Sequence, residues 1–220
     1  MEKQITKSTK TTKTTKTYYE KIINYLCSFT YPYNIYSISL DIYHRYLSTN
    51  NDANISQITK HIYVGNLSTA YNHNILKENN IEYIVTAIWN MPRINEFIYT
   101  MQINIIDLPQ TNIAQYFEKS NTFLDNVIET QQNVLLHCVC GISRSITLVI
   151  AYFIYKFRIS PKIALEYIQT KRVIANPNKG FMNQLESYYN LLMKDQQTDN
   201  YLSTENYSSK DVYNLLFNNL

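Results

Sequence analysis

Nine consecutive residues, His137-Cys138-Val139-Cys140-Gly141-Ile142-Ser143-Arg144-Ser145, carry the side chains best suited to chemistry in this sequence. Before them, Asn133 to Leu136 is a short β-branched and leucine run that reads as a strand. After them, the chain is apolar on nearly all sides from Arg144-Ser145 through Phe157, the pattern of a buried helix. A strand passing through a tight loop into a helix aims several backbone N–H groups and a helix dipole at one point, which makes an anion site. Cys138 stands at the strand end facing that field, so its thiol is expected to have a lowered pKa and to be a thiolate near neutral pH. Arg144, six residues on, has a planar fork that suits two phosphate oxygens. Gly141 lets the loop adopt a backbone conformation that a β-carbon resists. A lone cysteine at a strand end is more often structural. Here that reading leaves the joint spacing of His-Cys, Gly, Arg and Ser to chance, and the pattern is too specific for that.

The elements that must position this loop alternate between strand and helix. His61–Val64 reads as a strand turned by Gly65-Asn66, Ile81–Ile88 as a second strand and Met101–Ile106 as a third. Asn112–Glu129 is expected to be a helix with Ile113, Tyr116, Phe117, Phe123, Leu124, Val127 and Ile128 mostly on one face. Ser160-Pro161 signals a helix start, with a capping hydroxyl followed by proline, and that helix should run to about Arg172. Another follows Gly180, from Phe181 to about Met193. This alternation predicts an α/β fold: a central mixed, mostly parallel sheet of about four to five strands flanked by helices.

The flanks read differently. Residues 1–17 are a Lys/Thr-rich, low-complexity stretch expected to be disordered; they carry about +4, so that against the chain's formal net charge of +3 the remaining residues are close to neutral. Residues 18–54 are Tyr-rich with helical spacing at Tyr18, Ile22, Tyr25 and Leu26 and again at Tyr36, Leu40, Tyr43 and Leu47, predicting a helical extension. Residues 55–194 form the expected α/β domain that carries the loop. Residues 195–220 form a tail with a short helix after Ser208-x-x-Asp211.

Composition removes several classes. Only 3 glycines occur in 220 residues, where average usage would give roughly 15, so glycine-rich dinucleotide folds and collagen-like repeats are excluded. Three cysteines, few and odd in number, argue for free thiols in a reducing compartment rather than a disulfide scaffold. The longest apolar stretch, Ile146–Tyr155, falls short of the ~20 residues of a membrane span. The first ten residues lack the apolar core of a signal peptide. A cytoplasmic location is expected, with nuclear access open.

The segment HCVCGISRS resembles the signature loop of cysteine-dependent phosphatases, and its Ser-Arg-Ser ending resembles the dual-specificity group. ITKHIYVGN is similar to that family's first strand and turn, IDLPQTNIAQYFEKSNTFLDNVI to its acid loop and following helix, and ANPNKGFMNQL to its late Pro-Asn-x-Gly-Phe motif. The resemblance spans most of residues 58–192. It implies that Cys138 attacks phosphorus and forms a cysteinyl-phosphate. It further implies that Arg144 and the backbone amides of the loop Val139, Cys140, Gly141, Ile142, Ser143 and Arg144 hold the phosphate oxygens. Asp107 would protonate the leaving oxygen and then activate water; Asp125 and Glu118, inside the helix, are poorer candidates. Ser145 would assist the departing thiolate, His137 would order the loop, and Asn178 would brace it or serve as a turn residue.

No metal or cofactor is implied. Cys140 departs from the alanine common at its position and reads first as a small hydrophobic substitute, with a resolving thiol as the sharper alternative. Viral members of the group carry a short helical amino-terminal extension and some dimerise through it, which implies a homodimer through residues 18–54. The expected substrates are proteins carrying phosphotyrosine and phosphoserine or phosphothreonine, and no nucleic-acid partner is expected. Alternatives are RNA 5′ ends or phosphoinositides, against which the uncharged Val139, Cys140, Ile142 and Ser143 argue, and a phospho-binding scaffold without catalysis.

Overall fold

The computed structural model describes residues 54–91 and 98–197. The expected Lys/Thr tail, nearly all of the Tyr-rich extension and the C-terminal short helix lie outside the described residues. Within them, five strands form one sheet: β1 (Ile55–Gln57), β2 (Ile62–Gly65), β3 (Ile81–Ala87), β4 (Tyr99–Ile103) and β5 (Asn133–His137). The spatial order is β1-β2-β5-β3-β4. Only β1 pairs antiparallel; β2 with β5, β5 with β3 and β3 with β4 are all parallel. The mixed, mostly parallel sheet expected from the sequence is therefore the one observed.

Side chains alternate across this sheet with the period of two that a strand imposes. Ile62, Val64, Val85, Val134 and Leu136 join the larger core, while Tyr63, Ile84 and Leu135 join a smaller one on the opposite face. The smaller core is closed by α1 (Leu67–Tyr71) and α2 (His73–Glu78) through Ala70 and Leu76. The side chains of Asn66 and Asn72 cap these two short helices. Burial on both faces is what parallel strands require, and it explains their nearly continuous apolar runs.

The larger core holds α3 (Phe117–Glu129), α4 (Arg144–Phe157), α5 (Pro161–Lys171) and α6 (Lys179–Gln197). Residues 144–154 of α4 are all buried, so this helix is the centre of the helical layer. Helix α3 buries Phe117, Ser120, Asn121, Leu124, Val127 and Ile128, one stripe at three- and four-residue spacing. Ser160 caps α5 by accepting from the Ile163 amide at 3.4 Å, with Pro161 in the first turn, as its sequence signal predicts.

Four expectations need correction. The third strand is Tyr99–Ile103 rather than 101–106, because pairing with β3 ends where Ile103 meets Ala87. Beyond that point the chain turns toward the site, and the Ile105 carbonyl accepts from Arg144 instead of a strand. The helix expected from Asn112 begins as a 3-10 turn at Ala114–Tyr116 and becomes α-helical at Phe117. Its entry is fixed from outside, by the Gln184 side chain accepting from the amides of Ile113 and Ala114 at 2.9 and 3.0 Å. The last helix starts at Lys179 and extends to Gln197, longer at both ends than expected. β1, α1 and α2 are additional elements, too short for a periodic signal.

Candidate active site

β5 delivers His137 and Cys138 to the C-terminal edge of the sheet, and the chain then loops through residues 139–143 before α4 begins at Arg144. Gly141 has φ +67°, and a β-carbon there would run into the Gly65 carbonyl and the Arg172 guanidinium. Both the left-handed conformation and the space restrict this position to glycine. The loop is small because its carbonyls are held outward: Val139 O accepts from Leu67 N at 3.0 Å and Ile142 O from Asn176 N at 2.9 Å.

Cys138 is buried, with 1% of its surface exposed. Its sulfur accepts from the Gly141 amide at 3.2 Å and lies 3.5 Å from the Ser145 hydroxyl. Burial alone would push the thiol up. The Arg144 guanidinium, with the Ser145 hydroxyl and amide, outweighs burial and the opposing Asp107 carboxylate, so the thiol is held below the ordinary cysteine value. A thiol with a lowered pKa at this position fits the nucleophile expected from the sequence.

His137 is fully buried and its pKa is lowered to about 4, chiefly by burial and further by the Arg144 charge, against a raising hydrogen bond to Cys138. It is neutral at physiological pH. Its Nδ1 lies 3.3 Å from the Cys138 carbonyl, which can only accept, so Nδ1 carries the proton. Nε2 then accepts from the Thr86 hydroxyl at 2.9 Å, across the register pair Thr86 and His137. With both ring nitrogens engaged, by Thr86 and by the Cys138 carbonyl, His137 has no proton free to give to substrate.

Asp107 sits on the loop after β4 and is 28% exposed, so it can reach a substrate. Its Oδ2 is 3.5 Å from Arg144 Nε. Its Oδ1 accepts from the Ser143 hydroxyl at 2.7 Å and from Asn178 Nδ2 at 2.8 Å. These assignments are mutually consistent. The Asn178 amide N–H donates to Ser143 Oγ at 3.2 Å, freeing the hydroxyl proton for Asp107. Asn178 Oδ1 accepts from the Phe181 amide at 3.0 Å, which turns Nδ2 toward the carboxylate. Asn178 thus braces the Asp107 loop as well as starting α6. Asp125 is committed elsewhere, to the Tyr152 hydroxyl at 2.9 Å and Lys156 Nζ at 2.7 Å, and Glu118 stands in the first turn of α3.

The structure brings Cys138, Arg144, Asp107, Ser145, Ser143, His137 and Asn178 together. Ser143 does not cap α4 with its side chain; the hydroxyl is used on Asp107 instead. Cys140 is only partly exposed and packs beside the larger core. No group of three or more potential metal ligands occurs among the described residues. Two contributors have no motif signal: Thr86, a polar residue within an apolar strand, and Arg172, which reads in sequence as an ordinary helix-ending cation. Arg172 is 3% exposed and its guanidinium reaches into the catalytic loop.

Comparison with known proteins agrees with this geometry. Residues 62–191 match the family model described as dual specificity phosphatase, catalytic domain. Dual specificity protein phosphatase 1B of Arabidopsis thaliana is 32% identical over 136 residues, covering 61% of this chain and 81% of that protein. The crystal structure of the human tyrosine phosphatase-like serine/threonine/tyrosine-interacting protein superposes with a TM-score of 0.61 at 28% identity, covering 63% of this chain and 97% of that one. The Yvh1 phosphatase domain from Chaetomium thermophilum gives a TM-score of 0.58 at 30% identity, over 64% and 98% of the two chains. The chain belongs to the dual specificity phosphatase family, within the cysteine-dependent phosphatases, and is a protein phosphatase.

Proposed function

We propose that the chain removes phosphate from phosphotyrosine and from phosphoserine or phosphothreonine in proteins through a cysteinyl-phosphate on Cys138. The observation that carries this reading is the convergence of a buried, low-pKa Cys138 with Arg144 and an accessible Asp107. The Cys138 sulfur attacks phosphorus while the bond to the leaving oxygen breaks, and Asp107 gives that oxygen its proton. Arg144 and the amides of residues 139–144 hold the three remaining oxygens as their charge redistributes. Water then attacks the phosphocysteine, Asp107 takes its proton, and the sulfur leaves as a thiolate aided by the Ser145 hydroxyl.

Uncharged Val139, Cys140, Ile142 and Ser143 favour singly phosphorylated protein side chains over RNA 5′ ends or phosphoinositides. A panel of aryl phosphate, phosphopeptides, triphosphorylated RNA and phosphoinositide vesicles, run with wild type and Cys138→Ser, tests this. Preference for RNA or phosphoinositides would overturn the substrate class. A cytoplasmic location and free cysteines belong to the same reading, as does a homodimer through residues 18–54. Sedimentation of the full chain over a range of concentrations tests the dimer, and a monomer throughout would remove it.

A further inference from the structure

Four successive carbonyls of the catalytic loop point away from its centre, each held by a donor outside it. Leu67 N holds Val139 O at 3.0 Å and Asn176 N holds Ile142 O at 2.9 Å. Between them one side chain holds two: Arg172 Nη2 donates to Cys140 O at 3.3 Å and Nε to Gly141 O at 2.7 Å. In a trans peptide the C=O and the following N–H point in opposite directions. A carbonyl fixed outward therefore fixes the next amide inward. The 140–141 peptide shows this directly, with its carbonyl on Arg172 and its N–H on the Cys138 sulfur at 3.2 Å. The 141–142 peptide, anchored by Arg172 Nε, turns the Ile142 N–H toward the same centre.

We propose that Arg172 is a positioning residue for the phosphatase reaction, acting on the Cys138 sulfur through the 140–141 peptide and on bound phosphate through the 141–142 peptide. This rests on the role given above to Cys138. The far side of the guanidinium is built as well: Nη1 donates to Asn54 O at 3.4 Å, to Asn54 Oδ1 at 3.1 Å and to Ser56 Oγ at 3.1 Å. Residues at the amino-terminal edge of the sheet are thereby coupled to the catalytic loop through one side chain. A planar fork is needed, because an ammonium cannot hold two adjacent carbonyls and an outer pair in fixed directions. Polarisation along the chain guanidinium, peptide and sulfur adds to the stabilisation of the thiolate. Burial lowers the Arg172 pKa, while the neighbouring Cys138 and Cys140 pull it up.

The test uses the full chain as Arg172→Met, Arg172→Lys, and the outer-anchor pair Asn54→Ala with Ser56→Ala. Two quantities are read: kcat/KM on an aryl phosphate, and the pH midpoint for iodoacetate alkylation of Cys138, with the modified peptide identified by mass so that Cys27 and Cys140 do not count. For Arg172→Met, kcat/KM is expected to fall on the order of 100-fold, with an upward shift of the alkylation midpoint. Arg172→Lys should recover part of the midpoint shift but stay on the order of tenfold down. The outer-anchor pair should lose a few-fold with its melting curve unchanged. Should Arg172→Met fail to fold, Arg172→Lys and the outer-anchor pair decide the matter. Wild-type kcat/KM and midpoint in a folded Arg172→Met, or in both other variants, overturn the proposal. Cys138→Ser separates the two readings. Its residual turnover would end the cysteinyl-phosphate mechanism, whereas alkylation of Cys138 needs no turnover and judges Arg172 independently.

Discussion

The Asn178 side chain holds the Asp107 carboxylate from a different part of the chain: Nδ2 donates to Asp107 Oδ1 at 2.8 Å, while Asn178 Oδ1 accepts from the Phe181 amide at 3.0 Å. With Ser143 also donating to Oδ1, that oxygen is doubly occupied, and the proton of the acid form belongs on Oδ2. Oδ2 is the oxygen beside Arg144, so phosphate entering the cradle is expected to compete with Asp107 for the guanidinium and to free Oδ2 for the leaving group.

This arrangement predicts the behaviour of Asn178→Ala and Ser143→Ala. Each should lower kcat about tenfold on phosphates with poor leaving groups and have little effect with good ones, because only the former need the proton. Asp107→Asn should show the same dependence more strongly and lose the basic limb of its pH–rate profile. A series of aryl phosphates of graded leaving-group pKa gives the comparison, and equal losses across the series would contradict the assignment.

Much of this site is legible in the sequence because its parts are local. The strand 133–137, the loop and helix α4 are contiguous, and the His-Cys to Arg-Ser spacing encodes their geometry. Ser160-Pro161 likewise marks the start of α5 through short-range capping chemistry. What the sequence hides is long-range. Arg172 sits 31 residues from Gly141 in the chain, and nothing in its neighbourhood distinguishes a buried guanidinium from a helix-ending surface cation. Thr86 meets His137 only through sheet register. The boundary of β4 depends on where pairing with β3 stops, which hydrophobic alternation does not record. α1 and α2 follow from asparagine caps on stretches too short to show a period.

His137 predicts a pH dependence of stability. Its folded pKa, about 4, lies below the unfolded value of 6.5. The unfolded chain therefore takes up the proton first as pH falls. The contribution is fully present above pH 6.5 and is lost between 6.5 and about 4, on the order of 3 kcal/mol in total. Urea unfolding at pH 7 and pH 4.5 should show this loss in wild type and a smaller one in His137→Asn. An identical pH dependence in the two proteins would show that His137 is not the group involved.

Ser145 predicts a change in which step limits turnover. Its hydroxyl lies 3.5 Å from the Cys138 sulfur and helps to lower the thiol pKa, as a group aiding a departing thiolate would. Ser145→Ala should slow phosphoenzyme breakdown by about tenfold or more, so that stopped-flow traces with an aryl phosphate show a burst of phenol followed by slow turnover. It should also raise the pH midpoint for alkylation of Cys138. A linear trace with unchanged kcat would contradict this role.

Gly180 predicts a distant route to the acid. A β-carbon at this position would overlap the carbonyl group of Pro109, two residues beyond Asp107. Gly180→Ala is therefore expected to displace the Asp107 loop and the first turn of α6 from each other. The expected result is a loss of kcat on poor leaving groups, with inhibition by inorganic phosphate unchanged because the cradle of residues 139–144 is untouched. Isothermal titration of phosphate beside steady-state kinetics separates these effects.

Phosphate is expected to pass through Cys138 on its way to water. Acid quenching of the full chain within milliseconds of mixing with a radiolabelled phosphotyrosine peptide, followed by peptide mapping, detects this transfer. Label is expected on the peptide containing Cys138, to higher occupancy in Ser145→Ala and absent in Cys138→Ser. Phosphate on another residue, or sustained turnover by Cys138→Ser, would rule out a cysteinyl-phosphate on Cys138.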